Sequence, residues 1–214
     1  MKLIKNALAL AALVAVMAPA SAAITVLDFE GVGDNNAVGN FYNGGAGTNY
    51  GVSFSGPTLA KIDQDAGGSG NFANEPSPNT VMFFRTADNA ILDVAAGFET
   101  GFSFFYTSST AATVTVWSGL GGAGTLLGSL NLAAQYDDGC SGDPWGDFCN
   151  WSTSGLAFDG VAQSINFGGT ASQTAYDNIT FGSSVPAIPE PETYALMLAG
   201  LGLVGFMARR RKAK

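Results

Sequence analysis

The 214-residue sequence contains no histidine. That absence removes Ser-His-Asp and Cys-His catalysis, His-ligated zinc and haem, and any imidazole general base. Positive charge is nearly as scarce. Seven of the nine bases lie at the two ends, at Lys2, Lys5, Arg209, Arg210, Arg211, Lys212 and Lys214. Between residues 24 and 188 only Lys61 and Arg85 stand against fifteen acids, a net charge of −13. Such a body repels phosphate backbones, which excludes nucleic acid as its partner. Charged residues make up only 12% of the chain against 47% hydrophobic, so it is not a disordered acidic polymer. The body carries no apolar stripe at 3.6-residue spacing and no repeat of about 20–50 residues, which removes solenoids and propellers.

What the body does carry is short apolar runs separated by Gly, Ser, Asn and Asp. Strands are expected at 24–29, 52–54, 81–84, 90–94, 101–107, 113–117, 126–132, 155–158, 164–167 and 178–181. Period-two alternation is clearest in Thr113-Val114-Thr115-Val116-Trp117, where Val114 and Val116 share a face. Phe102, Phe104 and Tyr106 share another. Residues 118–124 are Gly-rich and read as a hairpin loop. Short strands with turn signals between them predict an all-β fold over residues 24–184, an antiparallel β-sandwich or jelly roll. The Gly/Asn-rich stretches 31–50 and 67–78 are expected as long surface loops.

The two ends read as addresses. Lys2 and Lys5 precede an apolar run from Ala7 to Ala18 and the small residues Ala20-Ser21-Ala22-Ala23. This is the layout of a Sec signal peptide over residues 1–23, cut after Ala22 or Ala23. Residues 185–214 hold three parts in order: Pro189-Glu190-Pro191, an uncharged apolar run from Thr193 to Ala208, and the cluster Arg209, Arg210, Arg211 and Lys212. As a helix the 16 apolar residues reach about 24 Å, a little short of a ~30 Å hydrocarbon core, so one short C-terminal transmembrane helix is expected. The basic cluster stays cytoplasmic and leaves the body outside.

That order resembles the PEP-CTERM sorting signal of Gram-negative bacteria. The resemblance makes Pro189, Glu190 and Pro191 the recognition motif and an exosortase the processing partner. It implies an inner-membrane intermediate with the body in the periplasm, cleavage near the motif, and transfer to the cell surface or extracellular matrix. Glu192 stands where that family often has Ser or Thr.

Inside the body, Cys140 and Cys149 are the only cysteines. Behind a signal peptide they are expected to be oxidised to a disulfide, worth roughly 2.5 kcal/mol by chain entropy. The bracketed loop includes Trp145, an expected exposed platform for sugar rings, whereas Trp117 is expected in the core. Asp28-Phe29-Glu30-Gly31 opens the body and Asp177-Asn178-Ile179 closes it. Asp28 and Glu30, two apart on a strand, are expected on one face. The early Phe-Glu-Gly and late Asp-Asn-Ile are similar to calcium-stapled carbohydrate-binding jelly rolls, which implies Glu30 and Asp177 as ligands of a structural Ca²⁺; Asp28 joins them by the strand geometry. No other cofactor is required.

The functional reading is an exported, non-enzymatic surface or matrix protein associating with exopolysaccharide. The alternative is a secreted glycan-active enzyme using an acid pair such as Asp63/Asp65, Asp137/Asp138 or Asp143/Asp147. A passive matrix filler remains a third.

Overall fold

The structure is a computed structural model that describes residues 24–135, 140–141 and 146–186. The signal peptide, the Pro-Glu-Pro motif, the apolar run and the basic cluster lie outside the described residues, as do Trp145, Asp137, Asp138 and Asp143.

Eleven strands run through the described residues: β1 (Thr25–Leu27), β2 (Val52–Phe54), β3 (Thr58–Ile62), β4 (Thr80–Phe84), β5 (Asn89–Phe98), β6 (Gly101–Ser108), β7 (Ala112–Trp117), β8 (Leu126–Leu132), β9 (Ser152–Ala157), β10 (Ala162–Gly168) and β11 (Thr174–Phe181). They form two antiparallel sheets. One has the order β3-β4-β11-β6-β9, with β1 also on β11; the other has β2-β5-β10-β7-β8. The fold is therefore the all-β sandwich that the alternation predicts. All ten expected strands form, with ends displaced by up to four residues.

The inner faces follow directly from period two. Val114 and Val116 of β7 are fully buried between outward Thr113 and Thr115. Leu92 and Val94 of β5 and Phe102, Phe104 and Tyr106 of β6 also point inward. The centre is aromatic: Phe104, Phe167 and Tyr176 meet with centroids 4.9–5.5 Å apart in tilted and edge-to-face geometries. Rings at such angles set positive edges against negative faces. Trp117 is not in this core. It shares the outer face with Thr115, half-buried, and its indole N–H donates to the Thr115 hydroxyl at 2.9 Å. Alternation from Val114 and Val116 already demands this.

Two further expectations change. β3 was not anticipated, because its inward residues are Thr58 and Ala60, too small and polar to read as an apolar stripe. It is an edge strand, and residues 35–38 cover its outer edge through the Ala37–Leu59 bridge and the Val38 N–H to the Thr58 carbonyl. The stretches 31–50 and 67–78 are more than surface loops. The first inserts Val32, Val38 and Tyr42 into the core, and the second buries Phe72 and Ala73.

β11 carries the one register break that matters for the site. Its pairing to β6 shifts between Asp177 and Thr180, and Asn178 takes a positive φ of 46°. The added residue resets the phase, so Tyr176, Ile179 and Phe181 all face the core.

Candidate binding cleft

The outer face of the six-stranded sheet is partly covered. One register row crosses it: Leu59 on β3 opposes Phe83 on β4, Phe83 opposes Ala175 on β11, and Ala175 opposes Thr107 on β6. The methyl of Ala175 between Phe83 and Thr107 leaves a depression. Lys61 opposes Val81 one row along, which places it on the same face.

Loops raise walls around this floor. Phe72 and Phe148 form a parallel bridge and pack with Val81 in a small second core, against Trp151 and Ala175. The wall is tied by the Trp151 indole N–H to the Ala73 carbonyl at 3.0 Å and by the Asn71 amide to Asp147 at 2.8 Å. The disulfide joins Cys140 to Cys149, the residue after Phe148, with Cα atoms 5.4 Å apart. The cleft so enclosed has a volume of about 170 Å³.

Both cations of the body converge here. Lys61 Nζ lies 5.6 Å and Arg85 Cζ 5.9 Å from the centroid of Phe83. Both donate to one neutral acceptor, Asn35 Oδ1, Lys61 at 3.3 Å. Lys61 also donates to Ser69 Oγ at 2.6 Å. Burial lowers the Lys61 pKa; the Asp34 charge opposes this, and the neighbouring Arg85 charge adds to it. Asp34 itself titrates below the usual range. Burial would raise it, but the Ser69 hydroxyl, the Ile62 N–H and the Lys61 charge outweigh that. Ser69, Asn71 and Gln173 add neutral polar groups to the lining, and no carboxylate is among its described residues.

The anticipated calcium ligands lie elsewhere. β1 ends at Leu27 and Phe29 takes a positive φ of 61°, so Asp28 and Glu30 do not share a strand face. Asp28 turns to the Tyr42 hydroxyl at 3.4 Å. Glu30 accepts the N–H groups of Asn79 and Thr80, each at 2.8 Å, and the Thr80 hydroxyl at 3.0 Å. Asp177 is fully buried and accepts the N–H of Ser77 and its own neighbour Asn178, each at 2.7 Å. The pairing of β1 with β11 thus sets both acids on the segment 77–80 that leads into β4. Burial pushes the Asp177 carboxyl up to about 8, against the Ser77 and Asn178 hydrogen bonds and with the Glu30 charge adding. Among the described residues no three acids or cysteines cluster in a way that could hold a metal.

Sequence reasoning counted Lys61 and Arg85 as lone bases but assigned them no site. Their scarcity was the available signal. Without β3, nothing put Lys61 beside β4.

No curated protein sequence matches the chain. Among solved structures, the K2 cleaved adhesin domain of Lys-gingipain aligns with a TM-score of 0.50 at 13% identity, over 74% of this chain and 99% of that one. A family 6 carbohydrate-binding module aligns at 18% identity and TM-score 0.35, over 60% of this chain and 85% of that one. Carbohydrate-binding module CBM6cm-2 from Cellvibrio mixtus lichenase 5A, in complex with cellotriose, aligns at 15% identity and TM-score 0.35, over 59% and 87%. The adhesin domain shares the fold. Residues 187–212 match the model of the PEP-CTERM protein-sorting motif, where the order of Pro-Glu-Pro, apolar run and basic cluster led. The chain thus joins an all-β sandwich to a PEP-CTERM protein-sorting motif, which implies an exported protein sorted through an exosortase at the membrane.

Proposed function

We propose that the protein is a non-enzymatic component of the cell surface or extracellular matrix. An exosortase removes its tail at the inner membrane, and the sandwich then associates with exopolysaccharide through the outer-face cleft. The observation that carries this reading is the composition of the cleft. It gathers cations, aromatic side chains and neutral polar groups, with no carboxylate among its described lining residues. Glycoside hydrolysis needs two carboxyl groups about 5–9.5 Å apart across the bond. The described lining offers no such pair, and its side chains are suited to holding a sugar chain.

Co-sedimentation of the exported protein with exopolysaccharide tests the reading. Retention of the polymer without release of reducing ends is expected. Release of reducing ends would favour the enzyme, and no retention would leave a passive matrix filler.

A structural Ca²⁺ at Glu30 and Asp177 is the second part of the proposal. The pair supplies hard oxygen donors, and ionising the fully buried Asp177 beside Glu30 sets two like charges together. A divalent cation would offset that repulsion and favour the ionised carboxylates. Each carboxylate already accepts backbone N–H groups, so most of a six- to eight-oxygen shell would be carbonyl groups and water.

A further inference from the structure

The placement of the body's two cations says what kind of saccharide the cleft takes. In a segment of net charge −13, fifteen acids are available to neutralise two bases. The fold instead sets Lys61 and Arg85 side by side on Phe83 and gives both the same neutral acceptor, Asn35 Oδ1. Asn35 is in turn fixed by its amide, which donates to Asp34 at 2.7 Å and to Ser69 at 2.9 Å. The cations are thus oriented on neutral oxygens, and the nearby Asp34 charge offsets part of the repulsion between them.

We infer that the cleft recognises a carboxylated sugar of the uronate type, its carboxylate held between Lys61 and Arg85 and its ring against the apolar floor. A guanidinium and an ammonium converging on one point match a carboxylate, and such charge-assisted hydrogen bonds exceed neutral ones in strength. Phe72 and Phe148 line the cleft as an apolar wall against which the less polar side of a sugar can rest. Ser69, Asn71 and Gln173 line the cleft as partners for hydroxyl groups. The positive pair also gives local attraction to an acidic polymer that the rest of the molecule repels. This inference rests on the saccharide-binding reading above and adds the sign of the ligand's charge.

Calorimetric titration of the exported protein with trigalacturonate, trimannuronate and the methyl ester of trigalacturonate tests it. At least one acid trimer is expected to bind about tenfold or more tighter than the ester, which cannot accept charge-assisted hydrogen bonds. The advantage should shrink in high salt and vanish in Arg85→Gln, whose exposed side chain leaves folding intact. Lys61→Met, with the melting temperature measured alongside, should act in the same direction. Equal binding of ester and acid overturns the inference while leaving saccharide binding standing. No binding of either acid trimer, with polymer retention still seen in co-sedimentation, also overturns it. No binding in any assay removes both.

Discussion

Asp177 and Glu30 are single residues with opposite relations to water. Asp177 is fully buried, whereas Glu30 is partly exposed, yet each pins the same short segment by accepting backbone N–H groups. A bound Ca²⁺ stabilises the native state by mass action, about 2.7 kcal/mol at a hundred times its dissociation constant. For a domain of this size that corresponds to a rise of roughly 5–10 °C in melting temperature. Calcium titration followed by thermal melting is expected to show such a rise, reversed by EDTA and lost in Asp177→Asn. A melt indifferent to EDTA removes the metal. The two acids were legible from the chain because they sit in short distinctive strings near its beginning and end. Their neighbour Asp28 was misplaced because Phe29 turns the chain at positive φ, and a non-glycine residue gives no warning of that. Lys61 and Arg85 were legible as numbers only. Their meeting over Phe83 depends on a strand whose inward residues are Thr58 and Ala60.

At the scale of elements, alternation carried most of the information. β6 and β7 show their inner faces in the bare sequence through Phe102, Phe104, Val114 and Val116, which are fully buried. The loops were harder, because Gly-rich segments without periodicity can lie in water or fold back on a sheet. Tyr42 shows the second case: it is buried, its hydroxyl accepts the Phe29 N–H at 2.7 Å, and its ring meets Phe29 at 6.1 Å. The disulfide belongs to this scale, since it closes a short loop beside one wall of the cleft. Replacing Cys140 and Cys149 by Ser is expected to lower unfolding free energy by about 2.5 kcal/mol in a urea titration. The sandwich core holds none of its atoms and should persist, so the circular dichroism of the sheets is expected to survive while trimer affinity falls. Loss of the folded spectrum at all temperatures would show that the bridge supports the whole domain instead.

The whole molecule joins a tail with an address to a body that holds the cleft. If an exosortase processes it, mass spectrometry of the exported protein should find an N-terminus at Ala23 or Ile24. The C-terminus should fall near Pro189–Pro191, without Arg209, Arg210 and Arg211. A product that retains those arginines would mean a permanent anchor.

The pairing of Thr25 with Phe181 has a further effect on such a journey. β11 is held by β6 along one edge and by β4 and β1 along the other. Until residues 174–181 arrive, β3 with β4, β6 with β9, and β1 are three separate fragments of an unfinished sheet. A pore that delivers the chain from its amino end therefore withholds the keystone to the last. Under delivery from the amino end, the six-stranded sheet closes only when its final strand has come through.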